Sequence, residues 1–203
     1  MTINYPVGTH HGKTLKNNTL RTGKTTKKVL FGKRGMGLED EINLANDYYL
    51  ANRLAVVHKK PTPITIVKVD YPARSAAKIT EAYFKQASTT DYNGVYQGKY
   101  IDFDAKETKN KTSFPLKNFH EHQIVHMSNV LAQRGIAFVL LHFAALGETY
   151  LLPSSYLITF YYEKNGLKSI PLAYIRENGY KIETNHIPRI PYLEIVNKLC
   201  EVQ

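Results

Sequence analysis

Three charged residues in the middle of the chain have an order that suits metal-dependent hydrolysis. Asp91 comes first, Asp104 follows, and Lys106 lies two positions further along. Because side chains alternate along a strand, Asp104 and Lys106 share one face of it. Two carboxylates can hold Mg²⁺, and a nearby ammonium can meet a phosphate or act on a water. The pattern suits a metal-dependent phosphodiesterase, and spacing alone leaves a solvated strand face as the alternative.

The residues around this pattern favour the phosphodiesterase interpretation. Asp102 and Asp104 alternate with Ile101 and Phe103, so the acids belong to an apolar strand. Lysines surround the same stretch, namely Lys99, Lys106, Lys109, Lys111 and Lys117. An acidic pair within a basic surface suits phosphodiester cleavage, because a metal neutralises the carboxylates while lysines hold the backbone phosphates.

Two further motifs contain residues that could act in a site. Glu39, which follows Arg34-Gly35-Met36-Gly37-Leu38, is a further candidate acid, and a glutamate that only stabilises a helix N-terminus is the alternative. His122 and His126 lie one helical turn apart and invite a zinc interpretation. That signal is weak, because the metalloprotease pattern requires Glu directly after the first His, where Gln123 stands. Gln123 could instead point its amide oxygen into an active site.

Charge is distributed unevenly along the 203 residues, whose net charge is +10. Residues 1–34 contain eight Lys and Arg residues and no Asp or Glu. Such a segment cannot bury enough apolar surface to order itself. We therefore expect residues 1–33 to form a flexible basic arm that meets nucleic acid, with a solubilising tail as the alternative.

The rest of the chain has the composition of a folded intracellular domain. Hydrophobic residues make up 43% of the sequence, so residues 34–203 can form one domain with a core. Cys200 is the single cysteine, which excludes an intrachain disulfide framework and fits a reducing compartment. No signal peptide is evident, and the longest apolar run, Ile136 to Leu146, is too short to span a bilayer. A cytoplasmic protein without a membrane partner is expected.

Hydrophobic periodicity predicts the elements that must position these residues. A helix is expected from near Met36, because Leu38, Ile42, Ala45 and Tyr49 repeat at helical spacing. Strands are predicted at Leu54–His58, Ile64–Tyr71, Val95–Tyr96, Tyr100–Thr108, Ile136–Phe143, Thr149–Leu152 and Tyr156–Tyr162. Further helices are predicted from an Asn118 cap to Arg134, at Ile170–Asn178 and at Tyr192–Leu199. Lys78–Gln86 is compatible with a helix or a returning strand. The order predicts a mixed α/β core.

Several strings of the sequence carry a more specific signal. From about Arg34 to its C-terminus the chain resembles the RecU-type Holliday junction resolvases of Gram-positive bacteria. The matching strings are His58-Lys59-Lys60-Pro61-Thr62-Pro63, Glu81-Ala82-Tyr83-Phe84, Ser88-Thr89-Thr90-Asp91-Tyr92, Tyr100-Ile101-Asp102-Phe103 and Ala105-Lys106-Glu107-Thr108-Lys109-Asn110-Lys111-Thr112. Strings of this length are far more specific than the spacing of the acids.

The resemblance implies a restriction-endonuclease-like core of the PD-(D/E)xK kind, a mixed β-sheet flanked by helices, working as a homodimer. It implies Mg²⁺ as cofactor, with Mn²⁺ as a substitute, and a projecting β-hairpin stalk at about residues 60–86, which favours a strand for Lys78–Gln86. The metal-site positions of the family fall on Thr89, Asp91, Asp104 and Gln123. Its transition-state lysine falls on Lys106, and Arg34 and Glu39 match its Arg-Gly helix entry.

The implied activity is Mg²⁺-dependent hydrolysis of DNA at four-way junctions, in homologous recombination and repair. The expected DNA-binding residues are Arg34, Lys59, Lys60, Arg74, Lys109 and Lys111. One departure concerns the acid before Ala105-Lys106, which is usually Glu in the family and is Asp104 here. Two alternatives remain: a non-catalytic junction-binding protein that modulates the RecA recombinase, and a sequence-specific restriction endonuclease on the same core.

Overall fold

The computed structural model describes residues 37–73, 76–85, 89–163 and 166–201. The predicted arm at residues 1–33, Arg34 and Arg74 lie outside the described residues. The strands are β1 Val56–Lys59, β2 Ile64–Ala73, β3 Ala76–Phe84, β4 Tyr92–Tyr96, β5 Lys99–Thr108, β6 Ser113–Pro115, β7 Ile136–Phe143, β8 Glu148–Pro153, β9 Ser169–Pro171 and β10 Tyr180–Ile182. The helices are α1 Leu38–Ala51, α2 Glu121–Ala132, α3 Ser154–Glu163, α4 Leu172–Asn178 and α5 Tyr192–Glu201, with a 3₁₀ turn at Leu116–Asn118.

A six-stranded mixed sheet, in the order β1-β4-β5-β7-β8-β10, forms the centre of the fold. Its neighbours pair antiparallel except β5 and β7, which run parallel with Asp104 beside Val139. Parallel neighbours need a crossover connection, and α2 lies in the one between β5 and β7. The predicted mixed α/β core is confirmed.

Helices cover both faces of this sheet, so β5 is buried on both sides. Ile101 and Phe103 pack with residues of α1 and α5, such as Ile42 and Tyr192, in one apolar cluster. The opposite face packs in a second cluster, which includes Ile124 and Met127 of α2, Leu157 of α3, Ile175 of α4 and Val139 of β7. The acids of β5 alternate with Ile101 and Phe103 and therefore face the second cluster.

A tight turn joins β4 to β5, and a close backbone approach at Gly94 packs β1 against β4. Gln97 and Gly98 connect β4 to β5 with φ of 48° and 77°, and positive φ at both central residues is typical of a hairpin turn whose twist matches its strands. At Gly94 the backbone of β1 approaches so closely that a Cβ would lie 2.7 Å from the Cα of Val57. A side chain at this position would therefore push β1 away from β4.

The segment Lys78–Gln86, which the sequence left open between a helix and a strand, is a strand over residues 78–84. β3 pairs antiparallel with β2 in a two-stranded sheet of its own, which includes most of Lys78–Gln86. Its side chains are exposed along the whole of β3, and Phe84 is 84% exposed. This hairpin lies within the expected stalk at residues 60–86.

Two sequence-based predictions of local structure are wrong. Tyr156–Tyr162 is part of helix α3, because Leu157, Phe160 and Tyr161 share a helical face that packs on the second cluster. The helix expected to start at Asn118 begins at Glu121 instead, and His120 caps it. Gln123 completes this cap by accepting a hydrogen bond from the backbone N–H of His120. Among the described residues no helix is long and apolar enough to cross a membrane.

Candidate active site

Strand β5 places Asp102, Asp104 and Lys106 on the face covered by α2. Asp104 has no exposed surface, and the Lys106 ammonium lies 3.0 Å from its Oδ2. The approach is close enough for an ion pair, and the second neighbour of this carboxylate is the Asp91 carboxyl. Two carboxyls held together in a buried site are costly when charged, and a divalent cation would compensate them.

Asp91 supplies the second carboxylate. It directly precedes β4, in which Tyr92 pairs with Phe103 of β5. The same antiparallel register, continued by one residue, places Asp91 beside Asp104. The pKa of Asp104 is raised to about 7, chiefly by burial and then by the neighbouring Asp91 carboxyl, while the Lys106 ammonium opposes both effects. Ionisation of Asp104 is therefore opposed in this site, which is the electrostatic condition that a bound divalent cation relieves.

The donor set fits Mg²⁺ better than zinc. Among the described residues there is no group of three or more His, Cys, Asp or Glu side chains that could hold a metal. Mg²⁺ is usually bound through one or two carboxylates, with waters and substrate phosphates as its other ligands, whereas structural zinc takes four protein ligands. Asp91 and Asp104 meet the first requirement.

Tyr92 packs on Phe103 in the first cluster and is within electrostatic range of the acidic pair. Its hydroxyl is buried without a hydrogen-bond partner among the described residues. Burial raises the pKa of this phenol, and Glu39, Asp91 and Asp104 raise it further in that order. Glu39 is therefore near enough to act electrostatically on the same hydroxyl, although its own carboxylate pairs with Lys59. The phenol stays protonated and can donate a hydrogen bond.

Thr89 and Gln123 lie on the two elements that flank the acids. The Thr89 hydroxyl donates to the carbonyl oxygen of Thr90 at 3.3 Å. Gln123 is buried, and its Oε1 accepts from the backbone N–H of His120 at 3.2 Å. The amide oxygen is thus engaged in capping α2, and a metal-ligand role for either residue stays a prediction.

The histidine that caps α2 and the two histidines within it have different environments. His120 and His122 stack with ring centroids 5.4 Å apart. Burial lowers the pKa of His122, and His120 and Lys106 lower it further, so His122 lies within electrostatic range of the lysine. His126 instead faces Asp102, with its Nε2 3.2 Å from Oδ2.

Asp102 is the centre of a polar cluster that the sequence alone did not single out. Its buried carboxylate receives the Lys60 ammonium at 2.8 Å, the Tyr100 hydroxyl at 2.7 Å, the Thr90 hydroxyl and the His126 ring. The sequence signal for this cluster was the alternation of Asp102 with apolar residues in a predicted strand. The structure shows that this strand is buried on both faces. The partners of Asp102 come from four other positions, and only folding brings them together.

The predicted DNA-binding residues have different environments. Lys59 pairs with Glu39, and Lys60 turns its ammonium toward Asp102 with its side chain only 19% exposed. Lys109 and Lys111 are exposed in the loop after β5. Arg34 and Arg74 lie outside the described residues. These roles stay predictions.

A mixed sheet covered by helices, with an acid and a lysine on central strand β5 and a second acid directly before the adjoining β4, defines a nuclease-like α/β protein. The comparison with known families identifies which one: the chain belongs to the Recombination protein U family, whose model matches residues 33–198. The resemblance carried by the sequence strings is thus confirmed.

Relatives of high identity cover nearly the whole chain. The Holliday junction resolvase RecU of Lactococcus lactis subsp. cremoris is 76% identical over 212 residues, covering 99% of this chain and 100% of that protein. The protein of the same name from Leuconostoc mesenteroides is 75% identical over 201 residues, with 99% and 98% covered. That of Streptococcus mutans is 59% identical over 196 residues, with 97% and 96% covered.

Proposed function

We propose that this protein is an endodeoxyribonuclease that resolves four-way DNA junctions by metal-dependent hydrolysis of phosphodiester bonds, in recombination and repair. The observation that carries the proposal is the fully buried Asp104 carboxylate, which lies beside the Asp91 carboxyl and 3.0 Å from the Lys106 ammonium. The substrate follows from the relatives named Holliday junction resolvase RecU, with which this chain aligns almost end to end.

Asp91 and Asp104 are the carboxylates that would hold Mg²⁺, with Mn²⁺ as a substitute, and Thr89 is a further candidate oxygen ligand. Gln123 would have to release its helix-capping hydrogen bond to His120 to offer its amide oxygen. When bound, Mg²⁺ lowers the pKa of a coordinated water and offsets negative charge on the scissile phosphate.

Lys106 has the position of a residue that acts on the phosphate. Its side chain is 17% exposed, so the ammonium is shielded from bulk solvent but reachable by a substrate. A cation held in such a site stabilises the charge that develops on the phosphate in the transition state, or orients the attacking water. Its neighbour Asp104 restricts the ammonium to this side of β5.

Junction recognition would use the basic arm, the stalk and the exposed Lys109 and Lys111. These groups offer mainly phosphate-seeking cations, so specificity would come from junction shape more than from base edges. A homodimer would present two equal sites to the two-fold junction and allow paired nicks. The cytoplasm is the compartment that we assign to this reaction, and an interaction with the RecA recombinase is a further proposal.

The deciding experiment compares a synthetic four-way junction with a linear duplex of the same sequence, in Mg²⁺, Mn²⁺ and EDTA. We expect symmetric nicks in the junction with either metal and none in EDTA. Junction binding without nicking in both metals would instead support the non-catalytic, recombinase-modulating alternative. Cleavage of the linear duplex at a fixed site would identify a restriction endonuclease.

A further inference from the structure

The cluster around Asp102 connects four elements of the fold. Lys60 follows β1, Thr90 precedes β4, Tyr100 shares β5 with Asp102, and His126 lies on α2. The Asp102 carboxylate has no exposed surface, and the Lys60 ammonium lies 2.8 Å from its Oδ2. A buried carboxylate of this kind persists only when charges and hydrogen bonds compensate it, which fixes its partners in place.

Lys60 contacts the segment that contains Asp91 through both its main chain and its side chain. Its backbone N–H donates to the carbonyl oxygen of Asp91 at 2.7 Å. Its ammonium donates to the Thr90 hydroxyl at 3.0 Å and to Asp102. Thr90 in turn donates to the other carboxylate oxygen of Asp102. Asp91 therefore has a fixed neighbour on its N-terminal side, and its own carbonyl oxygen is held by a main-chain hydrogen bond.

We propose that Lys60 and Asp102 are positioning residues, which hold the Thr90–Asp91 segment so that the Asp91 carboxylate stays beside Asp104 and the two bind a divalent cation together. The inference rests on the proposed metal site. It assigns Lys60 a role different from the DNA contact expected from the sequence, because its ammonium is directed toward a buried acid. Groups that orient metal ligands commonly contribute a factor of about 10–100 in metal affinity.

The test measures metal binding directly, with Mn²⁺ alone as the probe and isothermal titration calorimetry on the full chain. Lys60→Met removes the ammonium, and Asp102→Asn keeps the size of the side chain while removing its charge. The Lys60→Met/Asp102→Asn double variant removes the pair together and leaves no uncompensated buried charge. We expect each to weaken Mn²⁺ binding about 10–100-fold. The losses should not add in the double variant, because the two residues act as one unit.

Two control variants distinguish positioning by Lys60 from the general effect of losing an ion pair or a positive charge. Lys181→Met also removes a lysine from an ion pair, since Lys181 Nζ lies 3.7 Å from Glu148 Oε1, and it should leave Mn²⁺ affinity unchanged. Lys60→Arg keeps the positive charge and should retain more affinity than Lys60→Met. If Lys60→Met or Asp102→Asn does not fold, as judged by circular dichroism, the double variant and Lys60→Arg decide the question.

Three outcomes would overturn the proposal. Folded variants with unchanged Mn²⁺ affinity and lowered melting temperatures would show a purely structural pair. A Lys60→Met protein with intact metal binding but weaker junction binding in EDTA, and a smaller salt slope, would show a DNA contact. Wild type that binds no Mn²⁺ would remove the site itself, whereas wild type that binds Mn²⁺ without nicking junctions would refute only the nuclease function.

Discussion

Lys106 and Asp104 lie two positions apart on strand β5, and the Lys106 ammonium is 3.0 Å from the Asp104 carboxylate, yet burial still raises the pKa of Asp104 to about 7. The lysine therefore only partly offsets the burial of the acid. An ammonium has three protons, so Lys106 can meet a phosphate while it keeps its contact with the acid.

Replacement of Lys106 tests its catalytic role. Lys106→Ala should reduce junction cleavage by about 10²–10³-fold, because a preorganised cation at the developing charge is lost. Junction binding in EDTA should change little, since one ammonium among many contributes little to binding. Single-turnover cleavage and gel-shift titration measure the two quantities. Cleavage at the wild-type rate would remove Lys106 from the mechanism, and Lys181→Ala is the matched control.

Neutralising the acids should abolish metal-dependent cleavage. Asp91→Asn and Asp104→Asn each retain size but lose the charge that binds Mg²⁺. We expect cleavage to fall below detection in Mg²⁺ while the far-UV circular dichroism stays that of wild type. Nicking by either variant at the wild-type rate would place the site elsewhere in the molecule.

The raised pKa of Asp104 predicts how stability depends on pH in the absence of metal. Burial is the main reason that this pKa is about 7 in the folded protein, against an ordinary value of 3.8. Between these values the folded state binds more protons than the unfolded state, so the contribution of Asp104 to the free energy of unfolding decreases as pH rises. Above the folded pKa the decrease levels off.

Thermal melts in EDTA across this pH range measure the effect. Other groups titrate as well, so the informative quantity is the difference between wild type and Asp104→Asn, whose side chain cannot ionise. We expect Asp104→Asn to gain stability relative to wild type as the pH increases from acidic values to above neutrality. A difference that is independent of pH would contradict a raised pKa at this position.

Lengthening the acid at position 104 tests the departure from the family pattern. Asp104 is fully buried, and Lys106 beside it is partly exposed. One more methylene would move the carboxylate about 1–1.5 Å further from the backbone of β5. We expect Asp104→Glu to lower the Mg²⁺ concentration for half-maximal cleavage by about tenfold, as better-placed ligands do. A higher metal requirement would show that the surroundings fit the shorter acid.

Removing the basic arm tests its contact with DNA. If about four of its cations meet phosphates, deletion of residues 1–33 should reduce the log–log salt slope of junction binding by about 3–4 units. Binding is measured in EDTA over a range of salt concentrations, so that cleavage does not interfere. A slope equal to that of the full chain would refute a DNA-contacting arm.

Features that depend on neighbours in the chain were predictable. The repeat of Leu38, Ile42, Ala45 and Tyr49 predicted α1, and these four residues are its buried apolar face. The alternation that places Asp104 beside Lys106 follows from strand geometry, and the strand predicted at Tyr100–Thr108 is nearly all of β5. Each of these signals needs only a local period.

The order of residues along the chain was thus enough to predict the mixed fold, and it singled out the acidic pair and the lysine of the candidate site, because these residues lie on β5 and directly before its neighbour β4. Their roles stay predictions. The packed fold was needed to show that Tyr156–Tyr162 is helical and that Asp102 joins Lys60 and His126. The physical reason is the same in both cases. Which face of an element is buried, and which distant charges compensate a buried acid, depend on how elements far apart in the chain pack together.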